Sequence, residues 1–196
     1  MSILRIVGWS ALALAAAAIA FLVATVRVIE PQPTAPPAAA VPPAQRTSGG
    51  LIVPVEGIDV RSLRSNWGEA RGGGTRSHQA LDIMAPAGAP VVAAQDGVVE
   101  KLYFSKGGGG ITLYQRAASG DLMLYYAHLR AYAANMVEGK RVRAGELLGY
   151  VGDSGNAGAG NYHLHFAVAR MGRGERWWQG TPVDPYPLLA GARPGR

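Results

Sequence analysis

Beyond residue 50 the apolar residues come in short runs, each closed by a turn signal. The stretch "VVAAQDGVVEKLYF" holds two such runs around Asp96-Gly97, and "ITLYQRAASGDLMLYYAHL" holds two more around Ser119-Gly120-Asp121, the pattern of a hairpin. "RVRAGELLGYVG" and "YHLHFAVAR" add further strands. No long helical period is present after residue 50, apart from a turn or two near Ala131 to Val137. The 27 glycines among 196 residues agree with a turn-rich chain of low helix content. The expected fold is therefore mainly β, a small antiparallel sheet or sandwich folded on itself over residues 51–190, with a tail at 191–196. The glycine loops "RGGGTRS" and "GNAGAGN" are expected at its rim.

The first 50 residues have a different character. From Ile6 to Val26 the run "IVGWSALALAAAAIAFLVATV" carries no charge and is bracketed by Arg5 and Arg27. A bilayer core takes about 20 apolar residues as helix, whereas a cleavable signal has an apolar core of about 7 to 15. A retained transmembrane anchor over residues 6–27 is expected, with a long signal peptide cut near Ala38 to Ala40 as the alternative. Arg5 and Arg27 give little orientation signal. The short stretch 1–5 has no room for a cytoplasmic domain, so the folded part is expected outside the cytoplasm, periplasmic and tethered to the inner membrane of the cell envelope. Residues 28–50, which include "PQPTAPPAAAVPPAQRTSGG", cannot build a core and read as a semi-rigid spacer.

Composition excludes some chemistry. No cysteine is present, so disulfides, a cysteine nucleophile and cysteine-ligated metals are all ruled out. Residues 51–196 hold 16 Lys and Arg against 12 Asp and Glu, a surplus of four that suits an anionic polymer without requiring one. Basic residues are not interleaved with aromatic ones in the way that would argue for nucleic acid.

The chain has four histidines, His78, His128, His163 and His165. In "NYHLHF" the last two share one strand face about 6.6 Å apart, with Leu164 pointing away. In "HQALD" an extended strand would separate His78 from Asp82 by about 13 Å, too far for one ion, so the chain must bend between them. The glycines at 72–74 allow a tight approach. A catalytic zinc takes three protein ligands and keeps one position for water. His78, Asp82 and one histidine of the HxH pair would make such a set, and spacing alone does not choose between His163 and His165. Taken singly, an HxH on a strand is more often a half-buried polar face, and His128 after "LMLYYA" could simply cap a strand. Together these signals use every histidine in the chain.

Three segments, "SHQALDIMAPAGAPVVAAQDGVVEKLYF", "YYAHL" and "VRAGELLGYVGDSGNAGAGNYHLHF", resemble the lysostaphin-type (LytM-like) zinc metallopeptidases that cut peptidoglycan cross-links. The resemblance runs from about Gly72 to Phe166, with the motifs in family order. It implies a small β-sheet domain in which zinc is held by His78, Asp82 and His165. His128 and His163 match the family's two non-ligand active-site histidines. Two departures stand out: Ala80 occupies the place of the usual glycine in HxGxD, and Asn161-Tyr162 precede "HLHF" where a proline is common. Tyr162 is a candidate to line a substrate cleft or to pack, and Trp177-Trp178 to grip a glycan strand or to pack. "TPVDPYPLL" is given a structural role only.

The chemistry suits those roles. Two imidazoles and a carboxylate leave a divalent ion with a net charge of about +1, able to polarise a carbonyl and to lower the pKa of bound water towards about 7. His128 and His163 are placed to move that water's proton or to donate to the oxyanion; which is the base stays open. The expected function is zinc-dependent endopeptidase action on peptidoglycan. The alternative is a non-catalytic LytM-like module that activates a separate cell-wall hydrolase or a division complex, against which all five matching positions are filled. A biotinyl- or lipoyl-like carrier fails for want of a lysine at a hairpin tip. Residues 51–70, with Ser65, Asn66 and Trp67 just ahead of the site, are a candidate cover for the cleft in an inhibited state.

Overall fold

The computed structural model describes residues 50–191. The anchor expected over 6–27, all of the 28–50 spacer except Gly50, and all of the 191–196 tail except Gly191 lie outside the described residues. No helix among the described residues is long and apolar enough to cross a membrane.

The strands are β1 Ala70–Arg71, β2 Arg76–Ser77, β3 Leu81–Met84, β4 Pro90–Val92, β5 Gly97–Ser105 and β6 Gly110–Ala117. They continue with β7 Leu122–Tyr132, β8 Arg141–Val142, β9 Leu147–Val151, β10 His163–Arg170 and β11 Thr181–Val183, and a short helix α1 spans Pro185–Ala190. Every ladder is antiparallel. Nine strands join in one sheet, in which β11, β10, β7, β6, β5 and β8 follow one another, while β3 pairs with β10 and β9 bridges β7 to β4. β1 and β2 form a separate hairpin closed through Gly72, Gly73 and Gly74, whose φ values of 59°, 67° and 90° are open to glycine at little cost.

β10 forms the hinge line of the architecture. One edge carries β3 and then β11, and the other pairs with β7 from Leu122 to Ala127. β7 then leaves β10 and pairs with β9 from Leu129 to Tyr132. The sheet therefore forks at residues 127–129, and the mouth of the fork is narrowed by a single bridge between Gly152 and His163.

The core is an apolar cluster in which Leu81, Ile83, Leu124, Tyr126, Leu148, Leu164, Phe166 and Leu189 are fully buried. Tyr126 satisfies its hydroxyl there by donating to Gln115 Oε1 at 2.6 Å and accepting from the Ala94 amide at 2.9 Å, as a buried phenol requires. α1 has the capping chemistry that "VDPYPLLAG" encodes. Asp184 accepts from the Tyr186 amide at 2.9 Å, Pro185 opens the helix, and Gly191 closes it in the left-handed conformation.

Two expectations meet a different arrangement. The helical turn near Ala131 to Val137 does not form, because Ala131 and Tyr132 still pair with Tyr150 and Gly149 of β9, and Asn135 then turns the chain at a φ of 59°. Of the stretch 51–70 named as a candidate cover, residues 51–63 pack into the core and not over the cleft, while Asn66 further on touches Asp82. Leu51, Val55 and Leu63 belong to the core cluster, Ile52 is buried, and the Ile52 amide donates to the Ala94 carbonyl at 2.8 Å. These apolar side chains fill the domain interior, which is what their hydrophobicity favours.

Candidate metal centre

The pleat of two strands positions the first two candidate ligands. β3 and β10 pair so that Asp82 lies directly opposite His165, and Leu81 opposite Phe166. Leu81, Ile83, Leu164 and Phe166 point into the core, so the alternation sends Asp82 and His165 together to the other face. His78 arrives by a separate route. It continues the β1–β2 hairpin, with its amide donating to the Glu69 carbonyl at 2.8 Å, and the chain then bends at Ala80. That bend brings His78 Nε2 to 3.1 Å from Asp82 Oδ1, four residues on. The Ala80 methyl is fully buried at the bend, so the residue in glycine's usual place is accommodated inside.

Three ligand-type atoms converge. His78 Nε2 lies 3.2 Å from His165 Nδ1, and His165 Nδ1 lies 2.9 Å from Asp82 Oδ1. Among the described residues, His78, Asp82 and His165 are the His/Asp/Glu group whose ligand atoms come close enough to share an ion. A tetrahedral zinc with bonds of about 2.0–2.1 Å sets its ligand atoms about 3.3 Å apart, so the triangle is already near the size such an ion requires.

The hydrogen-bonding partners of the rings support this. His78 Nδ1 is 3.0 Å from the Asn66 carbonyl, His128 Nδ1 is 2.8 Å from the Ser154 carbonyl, and His163 Nδ1 is 2.8 Å from the Asn161 carbonyl. A carbonyl only accepts, so each of these Nδ1 atoms carries the hydrogen and each neutral ring is left with its lone pair on Nε2. For His78 that lone pair faces Asp82 and His165. The centre is thus three acceptor atoms in mutual contact with, at most, the Nδ1 hydrogen of His165 to share when the rings are neutral. Such a donor set fits a cation. Burial opposes the charge on Asp82, but the hydrogen bond and charge of His165, with the charges of His78 and His163, outweigh it and hold the carboxyl well below its usual range.

His128 reaches the site through an irregularity. In a regular β7 the residues facing His165 would be Tyr125 and Ala127, and His128 would turn towards the core. Between the pairs Leu113–Tyr126 and Ile111–Leu129, however, β7 carries one extra residue, and His128 has a φ of 60°. That bulge brings its ring to the site face, 4.9 Å from His163 and 5.5 Å from His165 between centroids. A left-handed histidine is strained and persists only when its surroundings fix it. Here its amide donates to Gly109 at 2.7 Å and Nδ1–H to Ser154, whose hydroxyl in turn donates to the Leu129 carbonyl at 2.6 Å. Two glycine loops make that contact possible: a Cβ on Gly155 would fall on the Gly108 carbonyl and one on Gly110 on Ser154. Burial, aided by the charges of His163 and His165, pulls His128 down to about 4, so the ring is neutral at pH 7.

His163 is buried at the mouth of the fork, with Nε2 3.8 Å from Asp82 Oδ1, further out than the three converging atoms. All five residues named from the sequence are therefore brought together. Tyr162 is exposed just ahead of β10, and the exposed Met84 sits across from His163. Trp177 packs against Tyr103 and Tyr114 at 5.7 and 4.6 Å, while Trp178 is exposed with the Arg176 guanidinium 5.2 Å above its ring. Sequence reasoning gave no ligation role to Asn66 or Arg71, both of which touch Asp82, and did not foresee Tyr125, whose ring lies 6.1 Å from that of His165. No short-range motif marks them.

Residues 76–185 match the family described as peptidase family M23, more than half of the chain. The chain belongs to peptidase family M23. The M23 match takes in His78, Asp82, His128, His163 and His165 together. The chain is 36% identical over 137 residues to the L-Ala--D-Glu endopeptidase of Bacillus subtilis, a stretch covering 65% of this chain and 39% of that protein. It is 40% identical over 110 residues to the DD-carboxypeptidase/endopeptidase Mpg of Neisseria meningitidis, covering 56% of this chain and 22% of that one. The match to these curated relatives thus spans well under half of their length. The solved catalytic domain of the antimicrobial peptidase lysostaphin from Staphylococcus simulans superposes with a TM-score of 0.55 at 27% identity, over 66% of this chain and 94% of that one. The LytM-like fold expected from the sequence is the fold observed.

Proposed function

We propose that this chain is a zinc-dependent endopeptidase that hydrolyses peptide cross-links of cell-wall peptidoglycan. The observation that carries the reading is the convergence of His78 Nε2, Asp82 Oδ1 and His165 Nδ1 within about one zinc coordination sphere. Its M23 relatives, an L-Ala--D-Glu endopeptidase and a DD-carboxypeptidase/endopeptidase, support a peptide-bond hydrolase.

His78, Asp82 and His165 would hold the ion. Bound there, zinc supplies a Lewis acid and a water acidic enough to be deprotonated at neutral pH. His128 and His163 stand beside that centre, each with Nδ1–H committed to a carbonyl and Nε2 left for the reaction. Their common geometry suits one to accept the proton of the attacking water and the other to donate to the oxygen that gains charge. The neutral state of His128 at pH 7 makes its Nε2 an acceptor. Tyr162, Met84 and Tyr125 border the face on which a substrate peptide would lie. The N-terminal anchor and spacer would hold the domain in the periplasm, close to the wall.

Incubating the purified chain with peptidoglycan and reading the fragments by mass spectrometry tests this. Zinc-loaded protein should convert cross-linked fragments into uncross-linked ones by cutting one type of peptide bond, and His165→Ala should leave the cross-links intact. A folded, zinc-binding wild type that releases nothing would favour the activator reading instead.

A further inference from the structure

Asp82 divides its two oxygens between two sets of partners. Oδ1 faces the histidines, 2.9 Å from His165 Nδ1 and 3.1 Å from His78 Nε2. Oδ2 faces away from them, accepting from Asn66 Nδ2 and from Arg71 Nη2, each at 2.9 Å. The Asn66 amide is oriented by its other contact. The Asp82 backbone N–H donates to Asn66 Oδ1 at 3.1 Å, which leaves Nδ2 no role but donation to the carboxylate. The Asn66 carbonyl also receives the Nδ1–H of His78 at 3.0 Å. One residue, lying in the loop ahead of β1, therefore touches two of the three candidate ligands and fixes the carboxylate rotation of one and the tautomer of the other. Asn66 precedes the stretch 76–185 that matches the M23 family.

We propose that Asn66 is the positioning residue of this centre, holding Asp82 so that a single oxygen faces the metal and keeping the Nε2 lone pair of His78 turned inward. The inference rests on the metal-site reading above. Without the Asn66 side chain, Asp82 keeps only Arg71 on Oδ2, and a half-exposed hairpin arginine does not fix a carboxylate rotation by itself. A carboxylate free to rotate meets the ion with either oxygen or with both, and the ordering it then undergoes is charged against binding. Asn66 carries no charge, so removing it changes the geometry of the site and leaves its electrostatic balance with a cation as it was. The neighbouring arginine would not give so clean a test.

The test compares the full chain with Asn66→Ala and with the similarly sized apolar Asn66→Leu, both of which keep the backbone carbonyl that His78 uses. Zinc affinity is measured by competition with a chromophoric chelator, and thermal unfolding is followed separately in the metal-free proteins. Loss of an outer-shell partner of this kind weakens metal binding by about 10–100-fold. Both variants should show that loss while the metal-free protein stays folded, its midpoint lowered only by the Asp82 N–H left without its acceptor, whereas a merely structural asparagine would lower the midpoint and leave zinc affinity within twofold. Folded variants that bind zinc within twofold of wild type would overturn the proposal, as would loss of the fold in both. If wild type binds no zinc, the metal reading fails first, and the inference fails with it in a recognisably different way.

Discussion

Asp82→Asn separates what the centre does for folding from what it does for metal. The substitution keeps the side-chain shape and removes the charge. In the metal-free chain one orientation of the new amide satisfies every neighbour. Its oxygen takes the place of Oδ2 before the Asn66 and Arg71 donors, and its NH2 takes the place of Oδ1 before the His78 and His165 nitrogens. What is lost is a charge that His165, His78 and His163 favour and that also pairs with Arg71, whose side chain is 35% exposed. The Arg71 pair contributes about 0–1 kcal/mol and the histidine contacts add to it, so the unfolding midpoint should fall by more than about 2–4 °C while the metal-free chain stays folded. The metal suffers far more, because the NH2 group that satisfies the histidines occupies the ligand position with hydrogens. Structural zinc sites of four ligands bind with about 10–16 kcal/mol, so one ligand accounts for about 3 kcal/mol, or about a hundredfold in affinity. Differential scanning calorimetry in chelator and zinc competition on the same preparations read the two effects. An Asp82→Asn variant that keeps zinc within threefold of wild type, or one that unfolds without metal, would refute the reasoning.

Further outcomes follow from neighbouring parts of the site and core. Below pH 6.5 the unfolded chain protonates His128 while the folded chain, with the ring pulled down to about 4, does not; stability of the metal-free protein should fall as pH drops through that window and level off near its lower end. Urea midpoints should show a flatter decline for His128→Gln, and parallel curves would contradict this. Gly155→Ala sets a methyl against the Gly108 carbonyl at a φ of 74°, and should disturb the Ser154 contact that fixes His128, cutting peptidoglycan turnover more than it cuts zinc affinity. Leu164→Ala empties a fully buried place between the two histidines of the HxH pair and should cost about 2–5 kcal/mol by chemical denaturation.

The β character and most strand positions could be read from the sequence because short apolar runs ending in glycine leave few other folds. Alternation placed His163 and His165 on one face of their strand, but only the family resemblance chose His165, with Asp82, as a ligand; Leu81, Ile83, Leu164 and Phe166 on the buried face agree with that choice. His128 was not legible from strand periodicity, because a bulge turns it out of the alternation, and only the family resemblance pointed to it. Asn66 and Arg71 were out of reach for another reason. Their partner Asp82 lies 16 and 11 residues away, joined through a hairpin whose register no local pattern reveals. Residues 131–137 misled because an alanine-rich run has helical propensity, yet pairing with β9 overrides it.

The central claim is that the His78, Asp82 and His165 centre holds one zinc on which peptidoglycan cleavage depends. The most direct measurement titrates zinc into the chelator-stripped chain and follows the release of peptide cross-links at each addition. The account predicts no release without metal and a linear rise that breaks at one equivalent. Cleavage that persists in the stripped protein, or that never appears as zinc fills the site, would contradict it.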